Sequence, residues 1–445
     1  MHRTAVLLFC VFACLSVLQA KEYDYNQILA EVTANSDASS EDKRMWREQL
    51  RRASKVSLDA TRRMFRDAAR EFNVPQVLLE AIGYLENNWI QVGPSVDRGW
   101  GVMHLVQNDY CDTLGEAARL IGSDPQTLKD DPRQNIRGAA ALLASYAGKT
   151  PAPVQVPGAA PGGRAPSDGP AFEDLSGAAE KASPGVSSRP IPFSPGPQYL
   201  TGTAADAPVE EWFEAASRFS GLISQELRDE QARNYFKVIS NGIKEQNVFN
   251  QIVEVKAAKV DFARLPPPAG VSRSARSADY PDALAVSTQY NFTMGRRVAI
   301  DTWVNHWMGV GTYAGAISWF QNPSANASAH FCIRHDDGEI TQVISVANTA
   351  WHAGASGYAY NNDRSIGVEH EVTTTHPEWW GSEPMLNASA RLTRFFCDKY
   401  GIPLTHKEGT NITGGILGHQ QMPGCSTSCP GPLPWEILME KIRAS

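Results

Sequence analysis

The sequence has no excess of positive charge, because 48 acidic residues outnumber 41 Lys and Arg and give a net charge of −7. This balance argues against nucleic acid as the main partner. No apolar run beyond the N-terminus reaches the roughly 20 residues that a membrane-spanning helix needs, and no internal repeat is present. With 42% hydrophobic residues among 445 positions, the chain is expected to be a soluble globular protein with two domains and linkers.

Cysteines are few, and their number depends on how the N-terminus is processed. Residues 1–20 contain a short basic start, an apolar run and a small residue at position 20, which predicts a signal peptide. The protein is therefore expected to be secreted or periplasmic. Cleavage would leave an odd number of cysteines, so at least one would lack an intramolecular partner. These are Cys111, Cys332, Cys397, Cys425 and Cys429.

Proline marks the boundaries between the predicted domains. Twelve of the 28 prolines lie between Pro151 and Pro208, which predicts a flexible insertion at about 150–208 within a helical region at 21–250. A second break predicts a linker at 251–284. After it, strand and helix patterns alternate, which predicts an α/β domain at 285–445. Because Pro-rich segments separate the two regions, we expect them to act independently.

The stretch GHQQMPGCSTSCPGP at 418–432 holds one His and two Cys among turn residues. His419 and Cys429 are far enough apart for the chain between them to fold both side chains onto one Zn²⁺ ion. A disulfide between Cys425 and Cys429 suits an exported chain equally well. His306 lies at the end of a predicted strand and would complete a His/His/Cys set. Three ligands would leave a fourth position open for water, as in catalytic zinc sites.

Five segments in the second region resemble the zinc-dependent N-acetylmuramoyl-L-alanine amidase family, which includes T7-type lysozyme and the peptidoglycan recognition proteins. They are VNHW, SAHFCIRHDDGEITQVI, TAWHAG, NNDRSIGVEHE and GHQQMPGCSTSCPGP, in that order between about 301 and 435. The resemblance implies a central mixed sheet flanked by helices. It also implies that His306, His419 and Cys429 bind Zn²⁺, and that the substrate is peptidoglycan.

The same resemblance implies roles for two further residues. Glu369 matches the general base of some family branches, and Thr427 stands where many members have a Lys that polarises the scissile carbonyl. Glu371 is the rival of Glu369, because strand alternation puts both on one face. His330 is expected to be a hydrogen-bonded core residue, while His352 either lines the groove or packs. The expected partners are muropeptide stems and glycan strands, and the expected state is a monomer.

The helical region resembles lysozyme-like soluble lytic transglycosylases, in the segments around AIGYLENNW, GWGVMHL and DPRQNIRGAAAL. The resemblance implies that Glu86 ends a helix, faces a glycan cleft and donates a proton to the glycosidic oxygen. The alternative is a glycan-binding domain in which Glu86 is an ordinary helical residue. For the whole chain, the alternatives are a recognition protein without activity and a transglycosylase that the second domain anchors.

Overall fold

The computed structural model describes residues 40–95, 97–148, 208–266, 279–286, 288–354, 358 and 360–445. The predicted signal peptide at 1–20 lies outside the described residues, as does the predicted Pro-rich insertion except for its last residue, Pro208. Within the described ranges, no helix combines the length and apolar character needed to cross a membrane.

Helices form most of the described chain before residue 242. In chain order they are α1 Ser40–Ala53, α2 Leu58–Phe72, α3 Gln76–Asn87, α4 Thr113–Leu120, α5 Pro125–Asp130, α6 Pro132–Tyr146, α7 Phe213–Phe219 and α8 Gln225–Asn241. Two short strands, β1 Gly99–Trp100 and β2 Leu105–Val106, pair between α3 and α4. This region is the predicted helical one.

Helix α2 illustrates how the local sequence sets these elements. The Ser57 hydroxyl accepts a hydrogen bond from the backbone N–H of Ala60, which caps the first turn. Asn73 ends the helix in the left-handed conformation with φ of 55°, where Asn is tolerated. Phe65 and Phe72 lie on one buried face and join the same core as α3 and α6. Burial of this face holds α2 in the helical region.

A hairpin follows α8 and lies partly inside the stretch predicted to be a linker. Its strands are β3 Ile243–Gln246 and β4 Ile252–Val255, and they pair antiparallel. Val253 and Val255 are buried, and Arg62 of α2 donates to the Glu254 carbonyl at 3.1 Å, so the hairpin packs on the helical region. The pattern is weak in the sequence because only four residues alternate.

The second region is built on a six-stranded mixed sheet with the order β12-β7-β11-β8-β9-β5. Its strands are β5 Leu284–Ala285, β7 Thr302–Gly309, β8 Phe331–Ile333, β9 Ile340–Gln342, β11 Ser365–Thr373 and β12 Gly415–Gly418. A separate pair is formed by β6 Phe292–Thr293 and β10 Thr349–Ala350. The helices are α9 Tyr313–Phe320, α10 Asn361–Arg364, α11 Glu383–Tyr400 and α12 Trp435–Ala444. The predicted central mixed sheet with flanking helices is confirmed.

The side chains of β7 alternate between the two faces of this sheet. Trp303 lies on the face that α11 covers, where its ring stacks on Phe396 with the ring centroids 6.0 Å apart. His306 and Met308 lie on the opposite face. Met308 shares a buried cluster with Ile317 of α9. The sheet is therefore covered on both sides, and His306 projects on the α9 side.

Buried polar groups join the helical region to the sheet region. Asn88 Nδ2 donates to the backbone carbonyl of Thr375 at 2.9 Å. His376 Nε2 lies 2.8 Å from the carbonyl oxygen of Tyr84, and the two rings pack edge to face. Because these two hydrogen bonds are buried, the helical region and the sheet region pack directly against each other at this point.

Ion pairs extend this interface along α8. Arg334, in the turn between β8 and β9, pairs with Glu230 of α8. Lys237 Nζ of the same helix lies 2.9 Å from Asp336 Oδ2. The side chain of Arg334 is only 7% exposed, so its charge is held by its carboxylate neighbours rather than by water. Helix α8 therefore contacts the sheet region along several turns.

Candidate metal centre and catalytic residues

Three residues from two parallel strands and a loop meet on the α9 face of the sheet. His306 lies in β7, and β12 pairs in parallel with β7 and ends one residue before His419. Because the two strands run side by side, the register brings His419 next to His306. The loop that follows returns Cys429 to this point, where its carbonyl accepts a hydrogen bond from Gln420 N at 2.8 Å.

The geometry of this cluster fits a zinc ion. The ligand atoms of His306, His419 and Cys429 lie within 4.8 Å of one another, and all three residues are buried. Cys429 Sγ lies 3.5 Å from His306 Nδ1, and the two imidazole centroids are 4.7 Å apart. A tetrahedral Zn²⁺ with usual bond lengths would separate a sulfur and a nitrogen ligand by roughly 3.5 Å. The spacing therefore matches a site with three protein ligands.

The cysteines separate the two sequence-based alternatives for the 418–432 stretch. Cys429 Sγ faces His306, whereas Cys425 Sγ lies 3.7 Å from the carbonyl oxygen of Ala353. Three further cysteines of the described chain carry free thiols, and these are Cys111, Cys332 and Cys397. The arrangement favours metal binding over a disulfide between Cys425 and Cys429.

Burial keeps the imidazoles of His306 and His352 in the neutral form. Burial lowers the pKa of His306 well below its usual value, and His419 and His352 lower it further. Burial also lowers the pKa of His352 to about 3, with a contribution from His419 and Arg296. Neutral imidazole is the form that binds a metal. His306 is thus held in the form that can bind Zn²⁺.

Strand β11 carries both acidic candidates for the general base, and their surroundings differ. Glu369 stands opposite His306 in the parallel pairing of β11 with β7, so its side chain projects on the same face. The Glu371 carboxylate accepts from the backbone N–H groups of Tyr313 at 2.7 Å and His335 at 3.0 Å, and contacts the His335 ring. Burial acts to raise the pKa of Glu371, but His335 and these hydrogen bonds outweigh it and lower the pKa. Glu371 therefore has a structural role, since it joins β11 to Tyr313 and His335, and Glu369 is the candidate base.

Thr427 lies two residues before the third ligand and is half-buried. Its Oγ1 accepts a hydrogen bond from the backbone N–H of Cys429 at 3.1 Å. A hydroxyl that accepts one bond still has its own proton to donate. Thr427 is thus fixed beside the cluster with a donor available for a substrate oxygen.

Two further histidines of this region have distinct roles. His330 is fully buried, and its Nδ1 accepts from the backbone N–H of Gly367 at 3.0 Å, which confirms the predicted core residue. His352 packs edge to face on His306, and its Nδ1 lies 3.0 Å from His306 Nε2. The motif TAWHAG left two roles open for His352, lining the groove or packing, and the sequence did not indicate contact with a ligand.

Glu86 lies in a separate buried cluster in the helical region. Its side chain is 6% exposed, and its carboxylate accepts hydrogen bonds from Gln231 Nε2 at 2.8 Å and from the Tyr235 hydroxyl. Burial raises the pKa of Glu86, although His104, Tyr235 and Gln231 act in the opposite direction. A buried carboxyl with a raised pKa is the form that a general acid needs. The cluster does not include any residue of the zinc site.

A second ionisable pair lies next to Glu86. His104 Nε2 is 3.1 Å from Asp97 Oδ1, and His104 Nδ1 is 3.6 Å from the Glu86 carboxylate. Burial acts to lower the pKa of His104, but the charges of Asp97 and Glu86 raise it to about 9. Burial acts to raise the pKa of Asp97, and His104 together with the Ser95 hydroxyl lowers it. The pair is therefore charged at neutral pH.

The sequence did not identify the partners of Glu86, because they lie on distant elements. Gln231 is separated from Glu86 by 145 positions. The available signal was the spacing of Gln231 and Tyr235 on α8, since residues four apart share one helix face. A polar pair on an otherwise apolar face indicates a buried polar group opposite it.

The site combines two buried imidazoles and a thiol around one point, and a carboxylate lies on the neighbouring strand. It is the donor set of a zinc hydrolase with an open coordination position. The profile of the N-acetylmuramoyl-L-alanine amidase family matches residues 295–432, the range that contains all of these residues. N-acetylmuramoyl-L-alanine amidase A of Achromobacter lyticus is 40% identical over 129 residues, which are 28% of this chain and 67% of the relative. The chain belongs to the N-acetylmuramoyl-L-alanine amidase family and is an enzyme of this class.

Solved structures similar to this chain include AmpD and a Staphylococcus aureus hydrolase. AmpD is 24% identical and covers 37% of this chain and 94% of its own length, with a TM-score of 0.28. The hydrolase AmiA of Staphylococcus aureus, solved with its ligand, is 20% identical. It covers 38% of this chain and 86% of its own length, with a TM-score of 0.29.

Proposed function

We propose that the chain is an exported, Zn²⁺-dependent amidase that cuts the bond between N-acetylmuramic acid and the L-alanine of the peptidoglycan stem. The observation that carries this proposal is the buried set of His306, His419 and Cys429 beside Glu369. This set lies within the residues that match the family. Export is inferred from residues 1–20, and the enzyme would act as a monomer on muropeptide stems and glycan strands.

Each residue of the site has a separate role in amide hydrolysis. His306, His419 and Cys429 would hold the ion. When bound, Zn²⁺ supplies Lewis acidity at the scissile carbonyl and a source of hydroxide at neutral pH. Glu369 accepts the proton of the attacking water and returns it to the leaving amine. Thr427 donates its hydroxyl proton to the oxygen on which negative charge develops.

The test combines metal analysis with product analysis on purified cell wall. We expect one zinc ion per chain and release of free stem peptides, both abolished in His419→Ala. His406→Ala is the matched control, because this half-buried histidine lies outside the cluster and contacts the Ile416 carbonyl. If zinc-loaded wild type binds the wall but releases no stem peptide, the proposed amidase activity is wrong and the protein is a recognition protein. Amide cleavage by His419→Ala would exclude metal catalysis at this site.

A second candidate activity belongs to the helical region, which we propose to be a lysozyme-like domain that cleaves glycan strands. The observation that favours it is the buried Glu86 carboxyl, held by Tyr235 and Gln231 and with a raised pKa. Glu86→Gln keeps the shape and removes the acidic proton, so it should lower the yield of anhydromuramic ends by about 10²–10⁴. Glu80→Gln, on the same helix, is the matched control.

The products distinguish the two activities of the chain. Stem peptides report the amidase, and anhydromuramic ends report a transglycosylase. Wild type without anhydro products would make the helical region a glycan-binding domain. If wild type and Glu86→Gln give equal yields of anhydro products, a residue other than Glu86 is the general acid.

A further inference from the structure

A chain of hydrogen bonds leads from His306 away from the zinc ligands. His306 Nε2 lies 3.0 Å from His352 Nδ1, and His352 Nε2 lies 3.2 Å from Ser365 Oγ. The Ser365 hydroxyl donates to the backbone carbonyl of Asn361 at 2.6 Å. Ser365 is the first residue of β11 and is fully buried. The chain therefore ends inside the protein on a backbone oxygen.

This terminal carbonyl fixes the direction of every bond in the chain. A carbonyl oxygen only accepts, so the proton of Ser365 points to Asn361. Ser365 Oγ then accepts from His352, which must carry its proton on Nε2. A neutral imidazole has one donor and one acceptor nitrogen, so His352 Nδ1 accepts from His306 Nε2–H. The lone pair of His306 is left on Nδ1, the atom 3.5 Å from Cys429 Sγ.

We infer that His352 is a positioning residue for the metal centre, which accepts the Nε2 proton of His306 and so directs His306 Nδ1 at the Zn²⁺ ion. Ser365 supports the same orientation one bond further away. The inference rests on the proposed zinc site, because it concerns one of its three ligands. Partners on the outer N–H of a ligating histidine fix its tautomer and ring orientation and raise its basicity.

His352 is held firmly enough to serve in this way. Asn362 Oδ1 accepts from the backbone N–H groups of His352 at 3.1 Å and Ala353 at 2.7 Å. The ring lies over Gly367 of β11, where a Cβ atom would come within 2.5 Å of the ring atoms of His352. Only glycine leaves room for the ring at this position. The backbone clamp and the close packing together limit rotation of the imidazole.

The first experiment measures the zinc dissociation constant of full-length variants by competition with a chelator. His352→Ala should weaken zinc binding by about 10–100-fold, the usual effect of losing such a partner. Ser365→Ala should weaken it less, because one bond of the chain remains. In His352→Asn the amide oxygen can replace Nδ1 as the acceptor, so most of the affinity should return. His406→Ala is the control and should bind zinc like the wild type.

The second experiment detects the tautomer itself and needs no substitution, so it decides the matter even if His352→Ala does not fold. Long-range ¹H–¹⁵N correlations in the zinc-loaded chain labelled with ¹⁵N-histidine show which ring nitrogen carries the proton. We expect His306 to be protonated on Nε2. A proton on Nδ1 of His306, or unchanged zinc affinity in His352→Ala, would overturn the inference while leaving the zinc site intact. Wild type that binds no zinc would overturn both.

Discussion

Replacing His104 by Gln should show how much a buried ion pair contributes to the free energy of unfolding of the helical region. The side chains of His104 and Asp97 are 7% and 9% exposed, and the closest nitrogen and oxygen are 3.1 Å apart. The pKa of His104 is raised from 6.5 to about 9. At 1.36 kcal/mol for each unit of pKa, this difference corresponds to about 3 kcal/mol of folding free energy.

The sign of this pH dependence follows from the direction of the shift. Because the pKa of His104 is higher in the folded state, its contribution is fully present below a pH of about 6.5. It is lost as the pH rises to about 9 and His104 releases its proton. The pair should therefore stabilise the fold in mild acid and at neutral pH, and contribute little above a pH of about 10.

A double-mutant cycle isolates the pair from the other effects of each substitution. His104→Gln, Asp97→Asn and the double variant are unfolded with urea at pH values of about 6 and 10. The coupling free energy should be favourable in acid and fall by more than half in base, where His104 has lost its proton. The control cycle uses Arg133 and Asp67, an exposed pair at 3.2 Å, which should give less than about 1 kcal/mol at both pH values. Equal coupling at both pH values would refute the raised pKa of His104.

Three further predictions test other parts of the structure. Glu369→Gln should lower kcat by about 10²–10⁴ while retaining zinc, whereas Glu371→Gln should mainly lower thermal stability. If Glu371→Gln lowers kcat and Glu369→Gln lowers the melting temperature instead, Glu371 is the general base. Arg334→Ala removes the cation that pairs with four partly exposed carboxylates, of which Asp336 keeps Lys237. It should cost about 1–3 kcal/mol in urea unfolding, against about 0.5 for the exposed control Arg394→Ala. Gly367→Ala should destabilise the fold by about 1–3 kcal/mol through overpacking, and a neutral result would contradict the close ring contact.

The resemblance to the family was sufficient to predict that His306, His419 and Cys429 lie together, because each lies in a short motif whose order along the chain is distinctive. Strand alternation did not separate Glu369 from Glu371, since it puts both on one face, and only the register of the family motif favoured Glu369. The structure separates them through the contacts of Glu371 with Tyr313 and His335, which lie on other elements. Such contacts depend on how strands and helices are placed, and no local pattern encodes that placement.

The contact between the two regions was also beyond local patterns. Pro-rich segments indicate where a chain is interrupted, but not whether the regions on either side pack together. The interface consists of single polar groups, such as Asn88 on Thr375 and His376 on Tyr84. Each of these residues has an ordinary position on its own helix or loop. Their partners lie more than 280 positions away, so only the folded chain shows the pairing.

Helix α8 contacts both the Glu86 cluster and the sheet region. On one face, Gln231 and Tyr235 donate hydrogen bonds to Glu86. At other positions of the same helix, Glu230 and Lys237 form ion pairs with the turn between β8 and β9. One helix therefore holds the Glu86 carboxyl on one side and contacts the β8–β9 turn of the amidase region on the other.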